Sequence, residues 1–168
     1  MKGMPKLKSA LQKLQSQLTS QDTERSFRMF VDRSFLVKGF GTVITGTVLS
    51  GKVHTDEELN LFPGKERIRI RGIQVHGEAR NEVHAGNRAA LNLAAISHEN
   101  IQRGDQLASP DSLITSFMLN VELTLLKDAP SEIRQRSRVR FHLGSNEVMG
   151  RVILLEDDLL TPGASALA

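Results

Sequence analysis

Val31-Asp32-Arg33-Ser34-Phe35-Leu36-Val37, then Gly39-Phe40-Gly41, then Thr42-Val43-Ile44-Thr45-Gly46-Thr47-Val48-Leu49 is the stretch that decides the fold. β-Branched and aromatic residues dominate both runs and glycines punctuate the gap. The stretch therefore predicts two strands joined by a glycine-bearing loop. The same pattern continues downstream. Ser50-Gly51-Lys52 predicts a turn, and Glu58-Leu59-Asn60-Leu61-Phe62 and residues 67–75 predict further strands with Pro63-Gly64 turning between them. Residues 89–94 and Gln106-Leu107-Ala108 add two more. Short strands, regular turns and little helix predict an antiparallel β-barrel.

Ser109-Pro110-Asp111 reads as a boundary. Beyond it, residues 117–125, 138–143 and 147–155 are again strand-like. This second unit has about 55 residues, thin for a closed barrel, so a second, incomplete barrel and a fragment of a longer protein are expected. On the other side, Leu7, Leu11, Leu14 and Leu18 fall at helical spacing, with Pro5 in the first turn and Thr19-Ser20-Gln21-Asp22-Thr23 ending the pattern. A helix this short needs a surface for its leucine stripe, most simply its own domain; the seam is too short to specify a coiled coil. The expected organisation is a mostly β chain: an N-terminal amphipathic helix and linker over 1–25, a barrel over 26–110 and a partial barrel over 111–168.

The 168 residues contain 22 Lys+Arg against 19 Asp+Glu and no Cys, Trp or Tyr. Residues 1–25 hold five basic and two acidic side chains, which accounts for the whole net charge of +3 and leaves the rest balanced at 17 of each sign. Bulk charge thus says little about a nucleic-acid partner, and local clustering must decide. Without Cys there is no disulfide framework, thiolate metal site or Cys nucleophile, which fits a reducing, cytoplasmic location. No apolar run approaches the roughly 20 residues of a membrane helix, and no membrane partner is expected.

Gly46-Thr47-Val48-Leu49-Ser50-Gly51-Lys52-Val53 comes one residue short of a phosphate-binding loop. Such a loop needs Ser or Thr after the Lys to hold magnesium, and a helix whose first N–H groups face the phosphates. Val53 occupies that position, so strand, turn and strand is the better reading. The five histidines show no close pair at metal-ligand spacing, and no Ser lies in a nucleophile elbow. No catalytic residue and no metal site is expected.

Two arginine ribbons carry more information. Arg67, Arg69 and Arg71 alternate with Ile68 and Ile70, which puts three guanidinium groups on one strand face. Same-face neighbours lie roughly 6.6 Å apart, near the scale of phosphate spacing in RNA. Arg134, Arg136, Arg138 and Arg140 repeat the pattern. All seven are candidate RNA contacts, while an ordinary polar outer face neutralised by neighbouring acids accounts for them as well. Asp32-Arg33 places opposite charges inside an apolar strand, so alternation sends them to opposite faces. An Arg beside a carboxylate is an oriented donor suited to an anion, and a surface salt bridge explains the pair equally.

At these residues a family resemblance emerges. Val31-Asp32-Arg33-Ser34-Phe35 through Lys38-Gly39-Phe40-Gly41-Thr42-Val43-Ile44-Thr45-Gly46-Thr47 resembles the opening of the second domain of translational GTPases, most closely the bacterial selenocysteine-specific elongation factors of the SelB type. Ala85-Gly86-Asn87-Arg88-Ala89-Ala90-Leu91-Asn92-Leu93-Ala94 and Ile101-Gln102-Arg103-Gly104-Asp105 match later landmarks of that domain. Residues 113–168 are similar to the start of its third domain, and the stretch from Gly3 to the final helix of its GTPase domain. The resemblance implies a region that holds the aminoacyl end of selenocysteyl-tRNA for delivery to the ribosome. It implies a selenocysteine pocket at Asp32, Arg33 and Arg88. It also implies that GTP and magnesium belong to a GTPase domain outside these residues, so this chain is expected to be no enzyme and to have no cofactor of its own. The missing GTPase domain becomes a partner, and the leucine stripe, without that parent domain, docks elsewhere or mediates self-association. Asp56 stands where the family usually has Gly, a tolerable change if the backbone there is left-handed. Two other readings stay open: the same region of a general translational GTPase, and a barrel that docks on ribosome or GTPase domain without aminoacyl contact.

Overall fold

The computed structural model describes residues 3–17 and 23–168. Helix α1 spans Met4–Gln17. Its side chains Leu7, Leu11 and Leu14 are all more than half exposed, so the stripe does not pack on its own domain as the sequence leads one to expect. Leu18 and residues 19–22 lie outside the described residues.

Ten strands follow before the boundary: β1 Arg28–Phe30, β2 Arg33–Val37, β3 Gly41–Ser50, β4 Lys52–His54, β5 Glu58–Phe62, β6 Glu66–Val75, β7 Glu78–Arg80, β8 Glu82–His84, β9 Arg88–Leu93 and β10 Gln106–Ala108. Six of them close a ring in the order β1, β10, β5, β6, β9, β3, with β3 pairing back to β1. Every pairing is antiparallel. β2 extends β3 outside the ring, β7 pairs with the end of β6, and β4 pairs with β8. Alternation along β3 and β6 turns Ile44, Val48, Ile68 and Ile70 inward, where they join Met29, Leu59, Leu91 and Leu107 in one buried cluster. Each such burial contributes about 1.5–3 kcal/mol, and together they fix the register of the wall.

The near-miss phosphate loop is the end of β3, a turn at Gly51 with φ +70, and β4. Among the described residues no helix begins directly after this turn, which is strand, turn and strand. Asp56 has φ +69, the left-handed conformation its position requires. β10 ends at Ala108, and Ser109 Oγ accepts the Phe27 amide at 2.9 Å.

The second unit holds β11 Glu122–Thr124, β12 Ile133–Arg134, β13 Arg138–Leu143, β14 Asn146–Arg151, β15 Leu159–Leu160 and β16 Ser165–Leu167. They form three two-stranded ladders, β11 with β16, β12 with β15 and β13 with β14. Val152, Leu154 and Leu160 are its buried cluster, with Leu123, Leu125, Ile133 and Val139 packed around them. The strand expected over 117–125 pairs only at 122–124. Its ladder runs out where Val121 and Ala168 exchange backbone hydrogen bonds of 2.8 and 2.9 Å. Phe117 and Met118 lie before that point and are exposed. The strand expected over 147–155 likewise stops at Arg151, since the Val152 amide and carbonyl turn to Ser137 and Arg136.

Candidate functional site

Asp32 and Arg88 meet on the outside of the barrel with Arg33 on the same face, and β3 is the strand that brings them there. β2 lies on one side of it and β9 on the other. Arg33 stands opposite Thr45 and Arg88 opposite Thr47, two residues apart on one face of β3. Asp32 does not alternate with Arg33 inside a strand, contrary to the sequence expectation. β2 begins at Arg33, because the Val31 amide turns away to the Asp105 carbonyl at 2.8 Å. The Asp32 amide binds the Thr45 carbonyl at 2.8 Å, and its carboxylate is free to reach across β3. There Arg88 Nη1 donates to Asp32 Oδ2 in a direct ion pair.

That pair is open to water, with 55% of the Arg88 side chain and 31% of the Asp32 side chain exposed. Such a pair contributes only about 0–1 kcal/mol to stability. Its consequence is orientation: the carboxylate fixes one guanidinium fork. Arg33 is exposed and makes no ion pair or side-chain hydrogen bond among the described residues. Two permanent cations against one carboxylate leave a net positive receptor for an anion.

The wall beneath adds two groups that the sequence did not single out. Thr45 Oγ1 and Asn92 Oδ1 are buried without a hydrogen-bond partner, while Asn92 Nδ2 donates to the Phe40 carbonyl at 2.8 Å. Thr45 shares a row with Arg33 and Ala90, and Asn92 follows Arg88 and Ala90 at strand parity, so both face the same way as the arginines. A Thr and an Asn in a strand carry no signal in the sequence; only the unpaired oxygens mark them. Behind the site, burial raises the Asp105 carboxyl above its ordinary value, and the Gln102 amide at 2.8 Å partly offsets this.

The ribbons are less uniform than their spacing. On β6, Arg67 pairs with Glu58 at 4.0 Å and Arg69 with Asp56 at 2.7 Å, while Arg71 has no partner among the described residues. The second ribbon is not one strand. Arg134 sits on β12 and pairs with Glu132 at 2.6 Å, and Arg136 occupies a left-handed turn at φ +64. Arg138 and Arg140 lie on β13, the latter 3.4 Å from Glu147. Arg138 stands directly opposite Arg151, and neither has an acidic partner among the described residues. No cluster of His, Asp and Glu among the described residues could hold a metal ion, and no described helix is long and apolar enough to cross a membrane.

Residues 41–108, the wall that carries Arg88 and the partners of Arg33, match the family model of elongation factor Tu domain 2. The whole chain aligns further. It is 38% identical over 165 residues to the selenocysteine-specific elongation factor of Desulfomicrobium baculatum, covering 98% of this chain and 26% of that protein. The chain is homologous to the second-domain region of the selenocysteine-specific elongation factors. The corresponding factor of Escherichia coli (strain K12) is 34% identical over 161 residues, 94% of this chain and 25% of that protein. A crystal structure of the bacterial selenocysteine-specific elongation factor EF-Sec superposes with a TM-score of 0.79 at 27% identity, over 99% of this chain and 28% of that one. The chain thus spans about a quarter of the length of these elongation factors.

Proposed function

We propose that this chain is the part of a selenocysteine-specific elongation factor that holds the selenocysteyl end of its tRNA for delivery to the ribosome. The observation that carries this reading is the unneutralised Arg33 beside the Asp32–Arg88 pair. A selenol is largely ionised at neutral pH where a serine hydroxyl is neutral, so fixed guanidinium groups favour the selenolate. Arg33 supplies the unpaired charge and Arg88 the oriented fork. Asp32 holds that fork and offers its second oxygen to the α-amino group. The exposed arginines at 67, 69, 71, 134, 136, 138 and 140 meet RNA phosphates. The role is binding, with nucleotide hydrolysis assigned to the family's GTPase domain. That domain is also the partner proposed for the exposed leucines of α1; a concentration-dependent dimer of the chain would assign them to self-association instead.

Arg33→Ala and Arg88→Ala in the full-length factor test the reading. Loss of a charge-assisted hydrogen bond of about 1.5–3 kcal/mol weakens selenocysteyl-tRNA roughly 10- to 100-fold. Seryl-tRNA should change by less than about twofold, since a neutral hydroxyl gains little from the charge. Equal losses for both would make this a general aminoacyl-tRNA barrel.

A further inference from the structure

The turn between β13 and β14 reaches from the second unit into the first barrel, and it lands on the peptide that carries Asp32. Leu143 pairs with Asn146, which leaves Gly144 and Ser145 as a two-residue turn. Gly144 has φ +59, the conformation glycine supplies at the first position of a type II′ hairpin turn, and a Cβ there would overlap the Phe30 ring. Ser145 Oγ donates to the Val31 carbonyl at 2.7 Å. The same carbonyl accepts the Gly104 amide at 2.9 Å. Arg103 Nε closes the contact by donating to the Ser145 carbonyl at 3.1 Å. Gly104, at φ +97, lies so near Asn146 that it has no room for a side chain. The turn is a plug, and Phe30, Val31, Arg103 and Gly104 are its socket.

The Val31 carbonyl belongs to the same peptide unit as the Asp32 nitrogen. The N–H end of that unit is held by the Thr45 carbonyl at 2.8 Å, and its C=O end by Gly104 and Ser145. Val31 is buried, so water does not readily replace a lost donor. Rotating this peptide plane swings the Asp32 side chain, and with it the Arg88 fork. The ion pair itself is open to solvent and adds little stability, so the placing of its carboxylate rests on this peptide. We infer that Ser145 is a positioning residue for the Asp32 carboxylate, so that the second unit sets the geometry of a site on the first barrel. Its bearing on selenocysteine rests on the function proposed above; the peptide geometry does not.

Ser145→Ala, Ser145→Thr and Arg103→Ala in the full chain test this by amide NMR. The nitrogen shift of a residue reports hydrogen bonding at the preceding carbonyl, so Ser145→Ala should displace the Asp32 resonance and speed its amide exchange about fivefold. The Arg88 Nε–H signal should move with it. Arg103→Ala, which loosens the turn from its other side, should move both signals in the same direction, and Ser145→Thr should restore them. Unmoved Asp32 and Arg88 signals in Ser145→Ala would overturn the inference, as would shifts spread evenly over the barrel. In binding, Ser145→Ala should give a selenocysteyl-over-seryl preference between those of the unaltered protein and Asp32→Ala. Full preference in Ser145→Ala where Asp32→Ala has lost it would contradict the positioning role. Unchanged preference in Asp32→Ala would sink the site reading instead, and the resonances would still decide the role of Ser145.

Discussion

Strands β6 and β13 share a pattern and meet opposite fates. Arg67-Ile68-Arg69-Ile70-Arg71 and Arg138-Val139-Arg140-Phe141-His142 both alternate charge with apolar bulk. On β6 the isoleucines are 2% and 0% exposed, because β5 and β9 flank the strand and the ring closes behind it. On β13 Phe141 is 43% exposed, because β14 is its only ladder partner among the described residues. The charged faces differ too. Glu58 and Asp56 sit within reach of Arg67 and Arg69, whereas Arg138 faces Arg151. Alternation decides which residues share a face; closure decides whether the apolar face is dry, while the residue across the ladder decides whether a charge finds a partner.

Core truncations should break this comparison most visibly if it is wrong. Leu91→Ala, in the closed ring, should cost about 3 kcal/mol in urea unfolding followed by circular dichroism. Phe141→Ala should cost less than about 1 kcal/mol, since much of that ring already meets water. Equal losses would mean that the second unit is as well packed as the first. Next in size is the joint between them. Gly144→Ala combines a left-handed backbone with overlap on Phe30 and should cost about 2 kcal/mol or more. Gly163→Ala, at φ +87 with only Lys127 nearby, should cost about 1 kcal/mol, so the difference isolates the socket.

Smaller effects sharpen the electrostatic contrast. Arg138→Thr removes a like-charge pair and should stabilise the β13–β14 hairpin by about 0.3 kcal/mol. If this face meets RNA, the same change lowers the salt slope of binding by about 0.7 per lost contact. Asp105 gives the subtlest signal. Its folded-state pKa lies above the ordinary 3.8, so the folded chain binds that proton more tightly than the unfolded one. The stability it contributes is present below the ordinary carboxylate value and is lost as pH rises through the raised one. Asp105→Asn removes this loss, so mutant-minus-native stability should climb from acid toward neutral pH across that window.

Local signals made much of this legible. The β-branched run at 42–49, the glycine at the β3–β4 turn and the leucine spacing of α1 each name an element from neighbours a few residues apart. Asp56 is the same kind of case, since a left-handed turn is a local property. The three charged site residues were named through a family resemblance, and the barrel then brings them onto one face. Which residues meet over long range was not legible. Nothing around Val31 says that its amide goes to Asp105, which ends the strand early and frees Asp32. Nothing around Phe117 says that the ladder pairs only from Glu122. Ser145 meets Val31 across 114 residues, and the unpaired oxygens of Thr45 and Asn92 exist only once the wall is built.

If two fixed guanidinium groups select a charge, selection must follow the ionisation of the ligand. The direct measurement is the affinity of the full-length factor for selenocysteyl-tRNA relative to seryl-tRNA as a function of pH. The seryl form cancels titration of the protein itself. The ratio should be largest where the selenol is ionised and fall toward one as pH drops below the selenol pKa, with Arg33→Ala flattening the curve. A large ratio that stays constant through that range would mean that size or shape, not charge at Arg33 and Arg88, does the selecting.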